Sequence, residues 1–204
     1  MQEDQKGRFL GKDTEYKFTY DNTLLVPINR GERRKEYKHK MYGGDIWTAF
    51  EVSFLDMKGL PQFHVLRFLN PADSVNIFES KSFKLYLNSF NNTKFESLDA
   101  VIKILKKDLK KLTKSTVKIK KVEKFKKETP LVKKPVVLEQ VCSPEVTDYE
   151  FNSSLLKTIT NKKDEVFSYS SSLLRSACEI TNQPDWGIVQ IVWKTNDKTV
   201  TEES

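Results

Sequence analysis

The segment from Ser97 to Leu112 constrains this chain more than any other. Leu98, Val101, Ile102, Leu105, Leu109 and Leu112 recur at three- and four-residue intervals, which lines their side chains along one face of an α-helix. Lys103, Lys106, Lys107, Lys110 and Lys111 cover the rest, and Ser97 is placed to cap the first turn. A helix apolar on one face needs an apolar surface to bury it. The flanking sequence supplies one with a different period. Residues 46–54 alternate, with Ile46, Thr48, Phe50, Val52 and Phe54 on one side; residues 62–68 form a second strand after a turn at Lys58-Gly59-Leu60-Pro61. A further extended piece, residues 74–78, leads into a first helix that ends near Phe90. Beyond the long helix, residues 116–122 alternate again, and residues 136–138 form a last strand. The order strand, strand, helix, helix, strand, strand predicts an α+β layer, an antiparallel sheet with helices on one face.

The remainder organises around this layer. Residues 1–40 read as a polar arm with a short extended anchor at Leu24-Leu25-Val26-Pro27-Ile28, packed over a later sheet. Residues 41–141 make the first module. Cys142-Ser143-Pro144-Glu145 is a linker, and residues 142–204 carry two strands, near 166–172 and 187–193, around a turn region at 177–186. A two-stranded piece is not stable alone in water, so this second region is incomplete by itself.

Composition bounds the chemistry. With 204 residues, 38% hydrophobic and 31% charged, the chain is long enough for a real core under a heavily charged surface. No apolar run approaches about 20 residues, so no membrane span is expected. The start, Met1-Gln2-Glu3-Asp4-Gln5-Lys6, lacks the form of a secretory leader, and Cys142 and Cys178 are expected to stay reduced in a cytoplasm. The formal net charge is +7, with much of the surplus between Lys103 and Lys134. These lysines occupy a helix face and a following strand without interleaved aromatics. A solvated basic face and a nucleic-acid surface both stay open, and such a field also suits an anionic cofactor.

Several familiar sites are missing. The seven glycines form no dinucleotide fingerprint and no P-loop. His39 and His64 are isolated, so no zinc site is expected, and no nucleophile elbow supports a serine hydrolase. Two stretches remain. Glu79-Ser80-Lys81-Ser82-Phe83-Lys84-Leu85-Tyr86 gathers a carboxylate, two cations and two serine hydroxyls. On a helix starting near Ser80, Ser80 and Lys84 share one face, and Ser82 and Tyr86 another. Read alone, this is an amphipathic helix start with a solvated basic face. In the second stretch Cys178 precedes Asp185 by seven residues in a polar loop, an arrangement open to two readings: a nucleophile with its proton carrier, or a buried free cysteine beside an Asx-type turn.

Together, the two stretches resemble the QueF family of NADPH-dependent 7-cyano-7-deazaguanine reductases. The first looks like the family signature. Cys178 with Thr181-Asn182-Gln183-Pro184-Asp185 looks like its second marker. Ile46-Trp47-Thr48, Lys58-Gly59-Leu60-Pro61-Gln62 and Leu87-Asn88-Ser89-Phe90 are similar to the long, two-module form, and the likeness runs from about Gly11 to Trp193. The resemblance implies a tunnelling fold (T-fold), here one complete module and an incomplete second one, and a homodimer. It implies reduction of the nitrile of 7-cyano-7-deazaguanine to a primary amine with two NADPH, in queuosine biosynthesis, a tRNA modification pathway. Cys178 would form a covalent thioimide and Asp185 would move protons. Glu79 would bind the deazaguanine, Lys81 and Lys84 the phosphates of NADPH, and Ser80 substrate or cofactor. The substrate is then a free deazapurine rather than a nucleic acid. The long form continues into a further helix pair, a His-Glu pair and an Arg- and Gly-rich segment, so the resemblance implies a chain truncated at its C-terminus with impaired activity. The competing expectations are a non-catalytic T-fold protein binding a purine-like ligand or RNA, and a plain basic RNA-binding module.

Overall fold

The computed structural model describes residues 16–35, 37, 39–124, 134–141, 152–160, 163–178 and 182–201. They fall into two compact units that divide between Phe125 and Lys126. Both are built of antiparallel strands with few helices, an α+β architecture.

Unit 1 runs β1 (Pro27–Asn29), α1 (Arg30–Arg33), β2 (Gly44–Leu55), β3 (Pro61–Pro71), β4 (Asn76–Phe78), α2 (Ser80–Asn88), α3 (Leu98–Thr113) and β5 (Lys118–Lys121). Strands β2, β3 and β5 form one antiparallel sheet in that order, and β1 pairs with β4. The expected anchor at residues 24–28 thus runs into a paired strand. The β2–β3 turn follows from its residues. The Asp56 Oδ1 atom accepts from the backbone N–H of Lys58 and of Leu60, each at 2.9 Å, and Gly59 takes φ +89°, which a side chain would resist.

The alternation predicted for residues 46–54 holds only in part. Ala49 pairs with Leu66 and Val52 with His64, so Phe50 and Glu51 together oppose Val65 in a β-bulge. The extra residue reverses which side chains face inward. Trp47 and Ala49 meet the core before the bulge, and Val52 and Phe54 after it. Ile46 and Phe50, expected to share a side with Val52, stand 65% and 58% exposed.

Helices α2 and α3 close one face of the sheet. Phe83, Leu85, Tyr86 and Leu87 from α2 and Val101, Leu105 and Leu109 from α3 join Val52, Phe54, Leu66 and Phe68 in one core. Ser97 caps α3 as expected, accepting from Ala100 N at 3.2 Å, and Lys114 ends it in the left-handed region. Within this apolar layer lies a carboxylate. Asp108, on the inner side of α3, accepts from Tyr20 and Tyr86, both hydroxyls donating to Oδ2 at 2.7 Å.

Unit 2 contains β6 (Val136–Val137), α4 (Leu138–Val141), β7 (Thr158–Thr160), β8 (Val166–Ala177), β9 (Pro184–Lys194) and β10 (Lys198–Val200). The two strands read from sequence near 166–172 and 187–193 are both longer than expected, which leaves a turn of only residues 178–183. Val136–Val137, expected to close the first half, pairs instead in parallel with β8. Phe167, Tyr169 and Trp193 stack across the hairpin, with adjacent rings 5.0–6.3 Å apart. Cys142 and the linker lie outside the described residues.

The strands of unit 2 from β7 to β10 repeat the pattern of β1 to β4 in unit 1. A 3₁₀ turn capped by Asp21 precedes β1; one capped by Asn152 precedes β7. Strands β2 and β8 are each 12 residues long, and β3 and β9 each 11. In β8, Ser172 and Leu173 oppose Ile188, a bulge at the place Phe50 and Glu51 hold in β2. Thr201 N donates to Lys157 O just as Glu79 N donates to Val26 O, both at 3.0 Å.

Burial, and then the bond to Asp108, raise the Tyr20 and Tyr86 phenols above their ordinary value. The folded state therefore holds two protons that the unfolded chain releases near about pH 10. Their contribution to stability is complete below about pH 10 and declines as pH rises beyond it. Denaturant unfolding between about pH 9 and 11 checks this: the unmodified protein should lose stability more steeply than Tyr20→Phe or Tyr86→Phe, and equal slopes would contradict the role given to these phenols.

Candidate active site: a capped helix and a hairpin tip

The first group of site residues is positioned by the start of α2. Glu79 is the N-cap, with extended backbone, and its side chain folds back on the helix it precedes. Oε1 accepts from Lys81 N at 2.8 Å and Oε2 from Ser82 N at 2.6 Å, while Ser80 Oγ lies 3.3 Å from Oε1. A negative charge here meets two unpaired N–H groups and the positive end of the helix. Glu79 is only 5% exposed, so the cap is sheltered from competing water. The family resemblance implies ligand binding for Glu79; the structure gives it a capping task. Each carboxylate oxygen carries two acceptor sites, which leaves capacity for a further donor.

The segment before β1 holds this corner in place. Val26 N donates to Ser82 Oγ at 3.2 Å, Ser82 Oγ donates to Glu79 O at 2.9 Å, and Glu79 N donates to Val26 O. Further along, Tyr20 N donates to Thr93 Oγ1 and Asp21 N to Ser89 Oγ. Ser82 and Tyr86 lie within the signature stretch, whereas no sequence motif marks Tyr20 or Asp108. One signal existed: Asp108 interrupts the inward positions of α3, between Leu105 and Leu112.

Ser80 and Lys84, one turn apart and both exposed, stand on the rim of a cleft of about 340 Å³ between α2 and β2. Its floor and walls include Trp47, Phe50, Phe83 and Leu87, and Asn88 closes the far end. The bulge in β2 falls along this wall. Lys81 is half-buried and lies outside the cleft lining. An apolar floor with a hydroxyl and a cation at its rim has the composition of a small-molecule site.

Cys178 and Asp185 stand at the tip of the β8–β9 hairpin in unit 2. Asp185 pairs with Ser176 and Pro184 with Ala177; Cys178 continues the ladder by donating its N–H to Gln183 O at 2.8 Å. This register sets Cys178 and Asp185 on the same face as diagonal neighbours, about 7–8 Å apart between Cα atoms. Asn182, at φ 53°, makes the tight turn possible. Cys178 is half-buried and Asp185 is exposed. Thr181 lies outside the described residues. Among the described residues, no group of three or more His, Cys, Asp and Glu could hold a metal ion, and no helix is long and apolar enough to cross a membrane.

Replacing Glu79 by Ala removes both acceptors and should cost unit 1 about 1–2 kcal/mol. Glu79→Gln keeps one carbonyl oxygen and should cost less. Chemical unfolding of the two variants decides the matter; a loss for Ala no greater than for Gln would show that the carboxylate does not hold the helix start.

Comparison with known proteins agrees with this geometry. A family model described as nitrile reductase, 7-cyano-7-deazaguanine-reductase N-term, matches residues 16–121, which span β1 to β5. A Cupriavidus pinatubonensis protein named NADPH-dependent 7-cyano-7-deazaguanine reductase is 42% identical, over 89% of this chain and 68% of the relative. A protein of the same name from Cupriavidus metallidurans is 41% identical, again over 89% of this chain and 68% of the relative. Cover of this extent at this identity makes the chain a member of the 7-cyano-7-deazaguanine reductase family of nitrile reductases.

Proposed function

We propose that this chain reduces the nitrile of 7-cyano-7-deazaguanine to the aminomethyl group at the expense of NADPH, in queuosine biosynthesis in the cytoplasm. The observation that carries the reading is the hairpin tip, where a half-buried thiol and an exposed carboxylate share one face two ladder steps apart. Cys178 adds through sulfur to the nitrile carbon. One C–N π bond is converted into a C–S bond and an N–H bond, which gives a thioimide with no change of oxidation level. Asp185 carries the thiol proton to the nitrogen. Glu79, fixed by its cap, accepts from the N–H groups of the deazaguanine ring, for which an ionised carboxylate is suited.

NADPH, when bound, supplies the hydrides that take the thioimide to the amine. The residues present suit a phosphate on the α2 side of the cleft, where Ser80 and Lys84 offer a hydroxyl and a cation to its oxygens; Glu51 in the β2 wall adds an acid to the same lining, and Lys81, one turn before Lys84, stands outside it. The finer fold reading is the T-fold. The run β2, β3, α2, α3, β5, with the short β4 before α2, supports the first five steps of its order, although Val136–Val137, expected as the sixth, pairs with β8; the similar hairpins of the two units support two related modules. The exposed Ile46 and Phe63 on the sheet support association of sheets in a homodimer.

Incubation with 7-cyano-7-deazaguanine followed by intact-mass measurement tests the chemistry. A covalent adduct should form, should be absent from Cys178→Ala, and should form roughly 10²–10⁴-fold more slowly in Asp185→Asn. Absence of any adduct with the unmodified chain would overturn the reading. NADPH oxidation on adding the nitrile then reports turnover separately.

A further inference from the structure

The nitrile chemistry makes no use of the outer face of α3. Lys103, Lys106, Lys107, Lys110, Lys111 and Lys114 are all exposed there, and none has an ion-pair partner among the described residues. At 100° per residue the six fall within one stripe about 140° wide, which runs roughly 16 Å along the axis. The one acid on the inner side of this stretch, Asp108, is buried and bonded to Tyr20 and Tyr86; the nearest acid on the outer face, Asp99, lies in the first turn. Four of the lysine pairs, 103–107, 106–110, 107–111 and 110–114, are spaced i, i+4, where like charges repel. The apolar side of α3 is committed to the core through Val101, Leu105 and Leu109, so the helix has no apolar residues left to insert into a bilayer. A rigid row of uncompensated cations is complementary to a regular row of anions.

We infer that this face of α3 docks the phosphodiester backbone of an RNA stem. The contacts are lysine to phosphate, so recognition is of shape and charge rather than of base sequence. The chain as a whole, at +7, adds a long-range attraction for the same ligand. The surface is independent of Glu79, Cys178 and the nitrile chemistry, and its test needs no turnover.

Fluorescence anisotropy of the full chain with a labelled RNA hairpin stem, and with a DNA duplex of the same sequence, measures the interaction from about 50 to 200 mM salt. Binding to the RNA stem supports the inference, and tighter binding to the DNA duplex than to the stem overturns it. The logarithm of affinity should fall against the logarithm of salt with a slope of about −3 or steeper, as expected for at least three or four neutralised phosphates. Lys103→Gln, Lys107→Gln and Lys110→Gln combined should weaken binding about tenfold or more. The same change at Lys40, Lys58 and Lys94, all exposed and outside α3, should shift it by less than about threefold. Circular dichroism of both triple variants checks that the helix is retained. The inference is overturned by no binding to either duplex, by a salt-independent affinity, by equal weakening from the two triple variants, or by tighter binding to vesicles of anionic lipid than to either duplex.

Discussion

The structure of unit 1 depends on one buried carboxylate. Asp108 lies in the layer where α2 and α3 meet, almost out of reach of water. An ionised carboxylate in such a place is costly unless it is hydrogen-bonded. Two phenols meet that need at once. Tyr86 arrives from α2 and Tyr20 from the segment before β1, and their rings lie edge-on to one another and to Phe90. One acceptor oxygen therefore ties three pieces of chain that are far apart in sequence. A neutral apolar pair could fill the same volume but would not select a single rotation of α2 about its axis; directional bonds do. That rotation decides which way Ser80, Lys81 and Lys84 point.

The other end of α2 is fixed by Glu79, and here capping and recognition converge on one group. Ser, Thr, Asp and Asn are the usual caps because their short side chains reach the N2 and N3 amides. Glu is a methylene longer, and it reaches them here because the segment through Val26 closes over the corner and excludes water. The carboxylate is thereby held with both oxygens oriented before any ligand is present. A binding group whose orientation is settled by folding loses little freedom on association. Its role in the proposed reaction and its role in the fold are thus the same physical arrangement rather than rivals.

Much of this was legible from side-chain periodicity. The stripe of α3 from Leu98 to Leu112, its cap at Ser97, the start of α2 at Ser80 and the β2–β3 hairpin all stand where the spacing of apolar residues sets them. The departures have specific causes. A bulge is invisible to a strict alternation rule, so Val52 and Phe54 were placed on the side of Ile46 and Phe50, whereas one inserted residue turns them inward. Val136–Val137 is apolar enough for any sheet, and its local sequence says nothing of which strand it joins. Strands β8 and β9 outrun the expected 166–172 and 187–193 at the hairpin end, where Arg175, Ser176 and the polar turn residues carry no alternating pattern while the backbone ladder runs on to Ala177 and Pro184. Asp108 reads as one more charge on a charged helix until the inward positions are counted.

The repeated hairpin explains how one backbone form can serve two chemical tasks. In both units a long strand carries a bulge at the same place, and a bulge bends a strand and sharpens its twist. In unit 1 the bulge lies against α2, where it forms one wall of the cleft bordered by Ser80 and Lys84; the turn beyond it, at Asp56 to Leu60, is an ordinary Asx-supported loop. In unit 2 the emphasis is reversed. The bulge at Ser172 and Leu173 meets Glu139, whose carboxylate accepts from Ser172 N at 2.6 Å, and the proposed chemistry moves to the turn, where Cys178 and Asp185 share a face. The geometry common to both copies is the ladder and its bend. What differs is which end of the hairpin carries the proposed site groups, and that is set by the turn and a few side chains on a shared ladder.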